Sequence, residues 1–117
     1  MEKYRDLLVY QRAYRLAVNM YKYTQSMPTH ERYGLTSQIQ RAATSIALNI
    51  AEGYGKSESK PELKRYLKMS KGSSAEMSVL IDLCKDIGYM EEAVYAKYAD
   101  EIEQIGKMLH RLIRSIN

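Results

Sequence analysis

Along residues 38–52 the chain sets Gln38, Arg41, Ser45, Asn49 and Glu52 at steps of three and four, a spacing that puts them on one side of a helix. A carboxylate near a guanidinium and an amide is raw material for acid–base chemistry, and Glu52 with Arg41 or Asn49 has that composition. Nothing supplies an activated nucleophile beside them. The competing reading is structural, since an Asn and a Glu at the edge of a core need hydrogen-bond partners. The ladder is assigned to packing, no catalytic residue is named, and the chain reads as a non-enzyme.

A second set of side chains points to anions. Lys64, Lys68 and Lys71 recur at i, i+4 and i+7, and Lys60 and Arg65 crowd the same stretch, as a helix laid along a phosphate backbone requires. The alternative is a plain solvated face. Metal chemistry has no footing. The residue three before His30 is Met27 and the one before His110 is Lys107, so the Glu-x-x-His pairs of a di-metal bundle are missing. Two histidines and one cysteine do not meet the usual ligand count for zinc, and no P-loop or dinucleotide glycine pattern occurs. No metal and no cofactor is expected.

These groups need helices to carry them. Val9, Ala13, Leu16, Met20 and Tyr23 form an apolar stripe that runs out at Ser26-Met27-Pro28, where proline breaks the pattern. Leu35, Ile39, Ala42, Ala43, Ile46 and Ile50 give the second helix its buried face. It starts between Thr29 and Thr36, and Gly53-Tyr54-Gly55 reads as a glycine stop. Ser59-Lys60-Pro61-Glu62 has the capping serine, early proline and later glutamate of a helix start. Leu63, Leu67, Ser70, Ser74, Met77, Ile81 and Cys84 then step in fours and threes to a stop at Gly88. A fourth helix over 91–115 carries Tyr95, Tyr98, Ile102, Ile105, Leu109, Leu112 and, just beyond, Ile116. No strand pattern appears. Four long helices with short turns predict an all-α, antiparallel up-down-up-down four-helix bundle, a single domain over 1–117.

Composition agrees with a globular chain: 45% hydrophobic, 27% charged, net charge +4. No apolar run approaches the about 20 residues of a membrane span. The opening residues do not form a signal peptide, so the expectation is a soluble cytoplasmic protein without a membrane partner. Cys84 falls at an apolar helical position and reads as buried filler. All 11 aromatic residues are tyrosines, rings suited to half-buried surfaces because each hydroxyl wants a partner. Tyr10, Tyr14 and Tyr21, with Ala17, form a second stripe on the first helix, about 110° from the core stripe. Leu48 points away from the core of the second. These four large residues are candidate oligomer contacts, with base stacking on the rings as the alternative.

Alternating helices would collect charge at one end of the bundle. Lys3, Arg5, Arg12, Lys56, Lys60, Lys64, Arg65, Lys68, Lys107, Arg111 and Arg114 gather there, against Glu2, Asp6, Glu52, Glu58 and Glu62. The balance is about +6, while Asp82, Asp86 and the acids of residues 91–103 gather at the far end. Acids early and cations late in the fourth helix merely oppose its dipole. The third helix does the reverse, and stability does not explain it. Lys56, Lys60, Lys64, Arg65 and Lys68, with Lys71, Arg111 and Arg114, are therefore the candidate nucleic-acid-binding residues.

The ladder and its surroundings resemble a bacterial family of small four-helix bundle proteins first noticed as reading frames inside intervening sequences of large-subunit ribosomal RNA genes, often labelled ribosomal proteins. The resemblance is carried by Asp6-Leu7-Leu8-Val9-Tyr10-Gln11, Tyr33-Gly34-Leu35, Gln38, Arg41-Ala42-Ala43, Ser45-Ile46, Asn49-Ile50-Ala51-Glu52-Gly53, and Gly72-Ser73 with Glu76. Gln40 departs from it, standing where the family commonly has a second basic residue. The resemblance implies a homo-oligomer, a ring of five similar to the accessory protein of diversity-generating retroelements, with RNA or DNA and a reverse transcriptase or other protein as partners. It implies no settled molecular function. The leading expectation is a non-enzymatic oligomeric bundle that binds nucleic acid, structured RNA or RNA/DNA, through its basic end; the rival is a protein-interaction scaffold with no nucleic-acid ligand.

Overall fold

The computed structural model describes residues 3–117. Four helices make up the fold as the apolar periodicities predict: α1 (Leu8–Thr24), α2 (Leu35–Lys56), α3 (Lys60–Ile87) and α4 (Glu92–Ser115). Short 3-10 turns at Tyr4–Asp6 and Thr29–Glu31 precede α1 and α2, and no strand occurs among the described residues. The molecule measures 43 × 24 × 20 Å.

Each helix packs on the next in sequence, and α1 meets α4 over the smallest area, closing the bundle loosely there. Cross-helix contacts fix the direction of each neighbour. Gly53 of α2 abuts Leu63 and Tyr66 of α3, whereas Ser73 further along α3 donates to Ser45 earlier in α2 at 2.8 Å. The two helices are therefore antiparallel. Lys71 Nζ lies 3.0 Å from His110 Nδ1, and Tyr95 donates to Asp82 at 2.7 Å, which sets α4 antiparallel to α3 in the same way.

The stripes become the core. Ala13, Leu16 and Met20 of α1 are buried with Ile39, Ala43, Ile46 and Ile50 of α2, Leu67, Met77 and Ile81 of α3, and Ile105 and Leu109 of α4. Ser70, also buried, satisfies its hydroxyl by donating to the Ile46 carbonyl at 2.7 Å. A serine can do this only where two helix axes come close. Burial pushes the Cys84 thiol up to about 11, an inert core group.

The helix ends follow their local chemistry, with one correction. Ser59 caps α3 by accepting the Glu62 N–H at 3.2 Å, and Glu62 accepts from the Glu58 N–H at 2.8 Å. Gly88 ends α3 at φ 100°, the left-handed region open to glycine. Gly53-Tyr54-Gly55, however, is not a stop, because α2 runs through both glycines to Lys56. Gly53 serves packing instead. A Cβ there would lie 3.0 Å from Tyr66 Cβ and 3.1 Å from Leu63 Cδ1, tighter than ordinary contact. Gly53→Val should cost about 2 kcal/mol through overpacking, read as a lower melting midpoint in denaturant.

Gly34 has no side chain to cap α2, and the Glu31 carboxylate replaces it by accepting the Leu35 N–H at 3.1 Å. Its other oxygen accepts from the Tyr89 hydroxyl at 3.0 Å, and Tyr23 donates to the Tyr89 carbonyl. One carboxylate thus ties the start of α2 to the α3–α4 turn. The Leu35 N–H, and then the Tyr89 hydroxyl, hold Glu31 below its ordinary value of 4.5. A lowered folded value means stability present above 4.5 and lost as pH falls through 4.5 and the lower folded value. Thermal melts from pH 6 down to about pH 3 should show the wild type losing more of its midpoint than Glu31→Gln.

Candidate nucleic-acid interface

The start of α3 carries a basic cleft beside the last residue of the chain. Lys60, Lys64, Arg65 and Lys68 line a shallow cleft of about 380 Å³ with Pro61 and Asn117, and no acidic residue lines it. Lys56 ends α2 four residues before Lys60, and Arg111 and Arg114 lie exposed on the last turns of α4. Among the described residues, none of Lys56, Lys60, Lys64, Lys68, Arg111 and Arg114 forms an ion pair. Arg65 lies over the Tyr66 ring at 4.8 Å, which orients the guanidinium while leaving its charge unneutralised. Lys71 turns away toward His110 on α4.

Two cations of the predicted basic end are paired with carboxylates of the same chain. Arg12 makes a two-pronged bond with Glu101, Nε to Oε2 at 2.9 Å and Nη2 to Oε1 at 2.8 Å, across the loose α1–α4 seam. That bond raises the arginine's pKa and lowers the carboxylate's. Lys107 pairs with Glu103 at 3.5 Å, one helical turn away. Sequence reasoning pooled both with the free cations: spacing along α1 does not reveal Glu101 on another helix, whereas the i, i+4 spacing of Glu103 and Lys107 was legible along α4. Glu2, counted with the same end, lies outside the described residues.

The polar ladder divides. Asn49 is buried and donates to both the carbonyl and the hydroxyl of Ser45 at 2.9 Å, and Ser73 of α3 donates to that hydroxyl at 2.8 Å. Gln38, Arg41 and Glu52 are exposed and bond to none of these. Asn49→Ala should therefore cost about 1–2 kcal/mol of unfolding free energy, whereas Arg41→Ala should stay within about 0.5 kcal/mol, both read by denaturant titration.

Tyr10, Tyr14 and Tyr21 of α1 come together with Leu48 of α2 around a groove of about 590 Å³ floored by Ala17, Ala47 and Ala51. Sequence reasoning missed a second apolar strip. Met69, Val79, Leu83 and Ile87 are exposed along the outside of α3. Their spacing was legible, but the inner stripe of the same helix drew the assignment. Among the described residues no group of three or more His, Cys, Asp or Glu could hold a metal, and no helix is long and apolar enough to cross a membrane.

The fold and the sequence converge on known relatives. The family model for 23S rRNA-intervening sequence proteins matches residues 5–111. The chain belongs to that family. The bundle is also similar to the crystal structure of a protein of unknown function from the S23 ribosomal protein family of Bacteroides thetaiotaomicron, with a TM-score of 0.81 at 22% identity over 91% of this chain and 98% of that one. At that identity the likeness speaks for the fold alone. No functionally curated protein matches the sequence. Family membership agrees with the residues that carry the resemblance, and the family's name refers to a genomic setting rather than to a reaction.

Proposed function

We propose that this protein is a non-enzymatic, homo-oligomeric bundle that binds structured nucleic acid by its phosphate backbone. The observation that carries the reading is the α3 cleft, where Lys60, Lys64, Arg65 and Lys68 converge with no acid among the lining residues. Cations at a helix start oppose the helix dipole, so they weaken the fold and need another use. Phosphate supplies one, because each neutralised phosphate releases a condensed counterion. Lys56, Arg111 and Arg114 extend the surface around the end of the bundle, with Lys71 at its margin, and the cleft itself is shallow. Backbone recognition fits that shape.

Oligomerisation through Tyr10, Tyr14, Tyr21 and Leu48 would multiply the effect. In a parallel ring, of five copies if the family resemblance extends that far, the basic ends form one rim. The competing reading, a scaffold for an acidic protein partner, draws on the same tyrosine-lined groove and needs no nucleic acid.

Filter binding of a structured RNA at low and physiological salt separates the two. Affinity should fall steeply with salt, and replacing Lys60, Lys64, Arg65 and Lys68 together by Gln should weaken binding and flatten the log–log salt slope by up to about 3.6, at roughly 0.7–0.9 per phosphate contact. The helical circular dichroism should not change. Unaltered RNA retention by the fourfold variant refutes the assignment.

A further inference from the structure

Helix α3 carries a second longitudinal stripe on its outer surface. Met69, Gly72, Glu76, Val79, Leu83 and Ile87 follow one another at steps of three and four, the repeat by which one helix packs along another. Val79, Leu83 and Ile87 are 58%, 44% and 54% exposed, so no described part of the subunit buries them. Gly72 sits within this stripe in mid-helix. A Cβ there would meet nothing within 4 Å, so no neighbour in the chain requires a glycine, although glycine weakens a helix interior. Unused space beside exposed apolar residues suits close approach from outside the subunit.

A complementary surface lies elsewhere on the same molecule. The α1/α2 groove offers Tyr14, Tyr21 and Leu48 around an alanine floor, with Lys22 also at its wall. Arg41 shares an adjoining depression with Tyr21 and Leu48. Glu52 lines that depression too, and Arg5 and Arg15 line a further one with Tyr10 and Tyr14, so cations outnumber acids around the groove, whereas the α3 ridge carries Glu76 on it and Asp86 beside it. None of Lys22, Arg41, Glu76 and Asp86 forms an ion pair with another described residue.

We infer that the outer ridge of α3 in one copy docks in the α1/α2 groove of a second copy, Val79 and Leu83 against Tyr14, Tyr21 and Leu48, with Glu76 and Asp86 meeting Lys22 and Arg41. The inference rests on the homo-oligomer half of the proposed function and names its two surfaces. Charge decides the pairing. Ridge on ridge sets Glu76 and Asp86 against their own copies, and groove on groove does the same to Lys22 and Arg41, whereas ridge in groove pairs opposite signs. Because the two patches differ, each copy uses its ridge toward one neighbour and its groove toward the other. Such a head-to-tail contact closes into a ring when its rotation permits.

Sedimentation velocity on the full chain tests the pairing. The wild type should assemble, while Leu83→Glu on the ridge and Leu48→Glu in the groove should each sediment as monomers with unchanged helical circular dichroism. Their equimolar mixture should form a heterodimer, because one intact groove and one intact ridge remain. Gly72→Leu should also be monomeric, yet melt at a higher temperature than the other two variants, because leucine has room there and favours helix more than glycine. A wild type that assembles while the mixture stays monomeric overturns the ridge-in-groove assignment and leaves the homo-oligomer standing. Single variants that still dimerise alone overturn it in favour of a self-paired face, and Gly72→Leu assembling like the wild type overturns the close approach. A wild type that is monomeric at several hundred micromolar overturns both the pairing and the homo-oligomer.

Discussion

Where α2 meets α3, serines and a glycine stand at the contact, and the rest of the architecture depends on the proximity they allow. The Ser70 hydroxyl reaches a backbone carbonyl of the facing helix, Ser73 reaches Ser45, and Gly53 leaves room for Leu63 and Tyr66. A longer side chain at any of these positions would push the axes apart and strand a buried polar group without a partner. The same contacts set the register of α2 against α3. That register decides which residues of the two helices share a level, and therefore where their charges fall.

The charge distribution follows from direction and register together. Antiparallel neighbours bring the start of α3 beside the end of α4, so Lys60, Lys64, Arg65 and Lys68 meet the segment that ends in Asn117. Helix α4 arranges its own charges to suit its dipole, and α3 does not. The Ser59 cap and the reach of Glu62 back to the Glu58 N–H offset part of that cost. A helix start stabilised by capping can tolerate cations that a bare one would not. The cap secures the helix there, and Lys60, Lys64 and Lys68 form no ion pair among the described residues.

Elsewhere charge is used to hold helices together. Arg12 and Glu101 bridge the α1–α4 seam where apolar packing is thinnest, and Glu31 joins the start of α2 to the α3–α4 turn. Both lie among half-buried groups, where a hydrogen-bonded charge contributes more than at a fully exposed surface. The surfaces left over, the tyrosine groove and the α3 ridge, are apolar strips that a solitary subunit would have to expose to water.

Four helices, their inner faces, the Ser59 cap and the Gly88 stop were legible from residue types and spacing, because a 3.6-residue period and local capping chemistry act within a few positions along the chain. The cluster of cations early in α3 was legible for the same reason. Other features depended on groups distant in sequence. Gly53 looks like a helix stop until Tyr66 and Leu63 are seen against it. Arg12 counts as a free cation until Glu101, on the far side of the molecule in sequence, takes both its prongs. The ladder reads as one row, yet only Ser45 is bonded by α3, with the buried Asn49 bonding Ser45 along its own helix, while Arg41 and Glu52 face outward. Periodicity determines which side of a helix is apolar; only packing decides which partner reaches each polar group, because hydrogen bonds and ion pairs act over a few ångströms in space and are indifferent to distance along the chain.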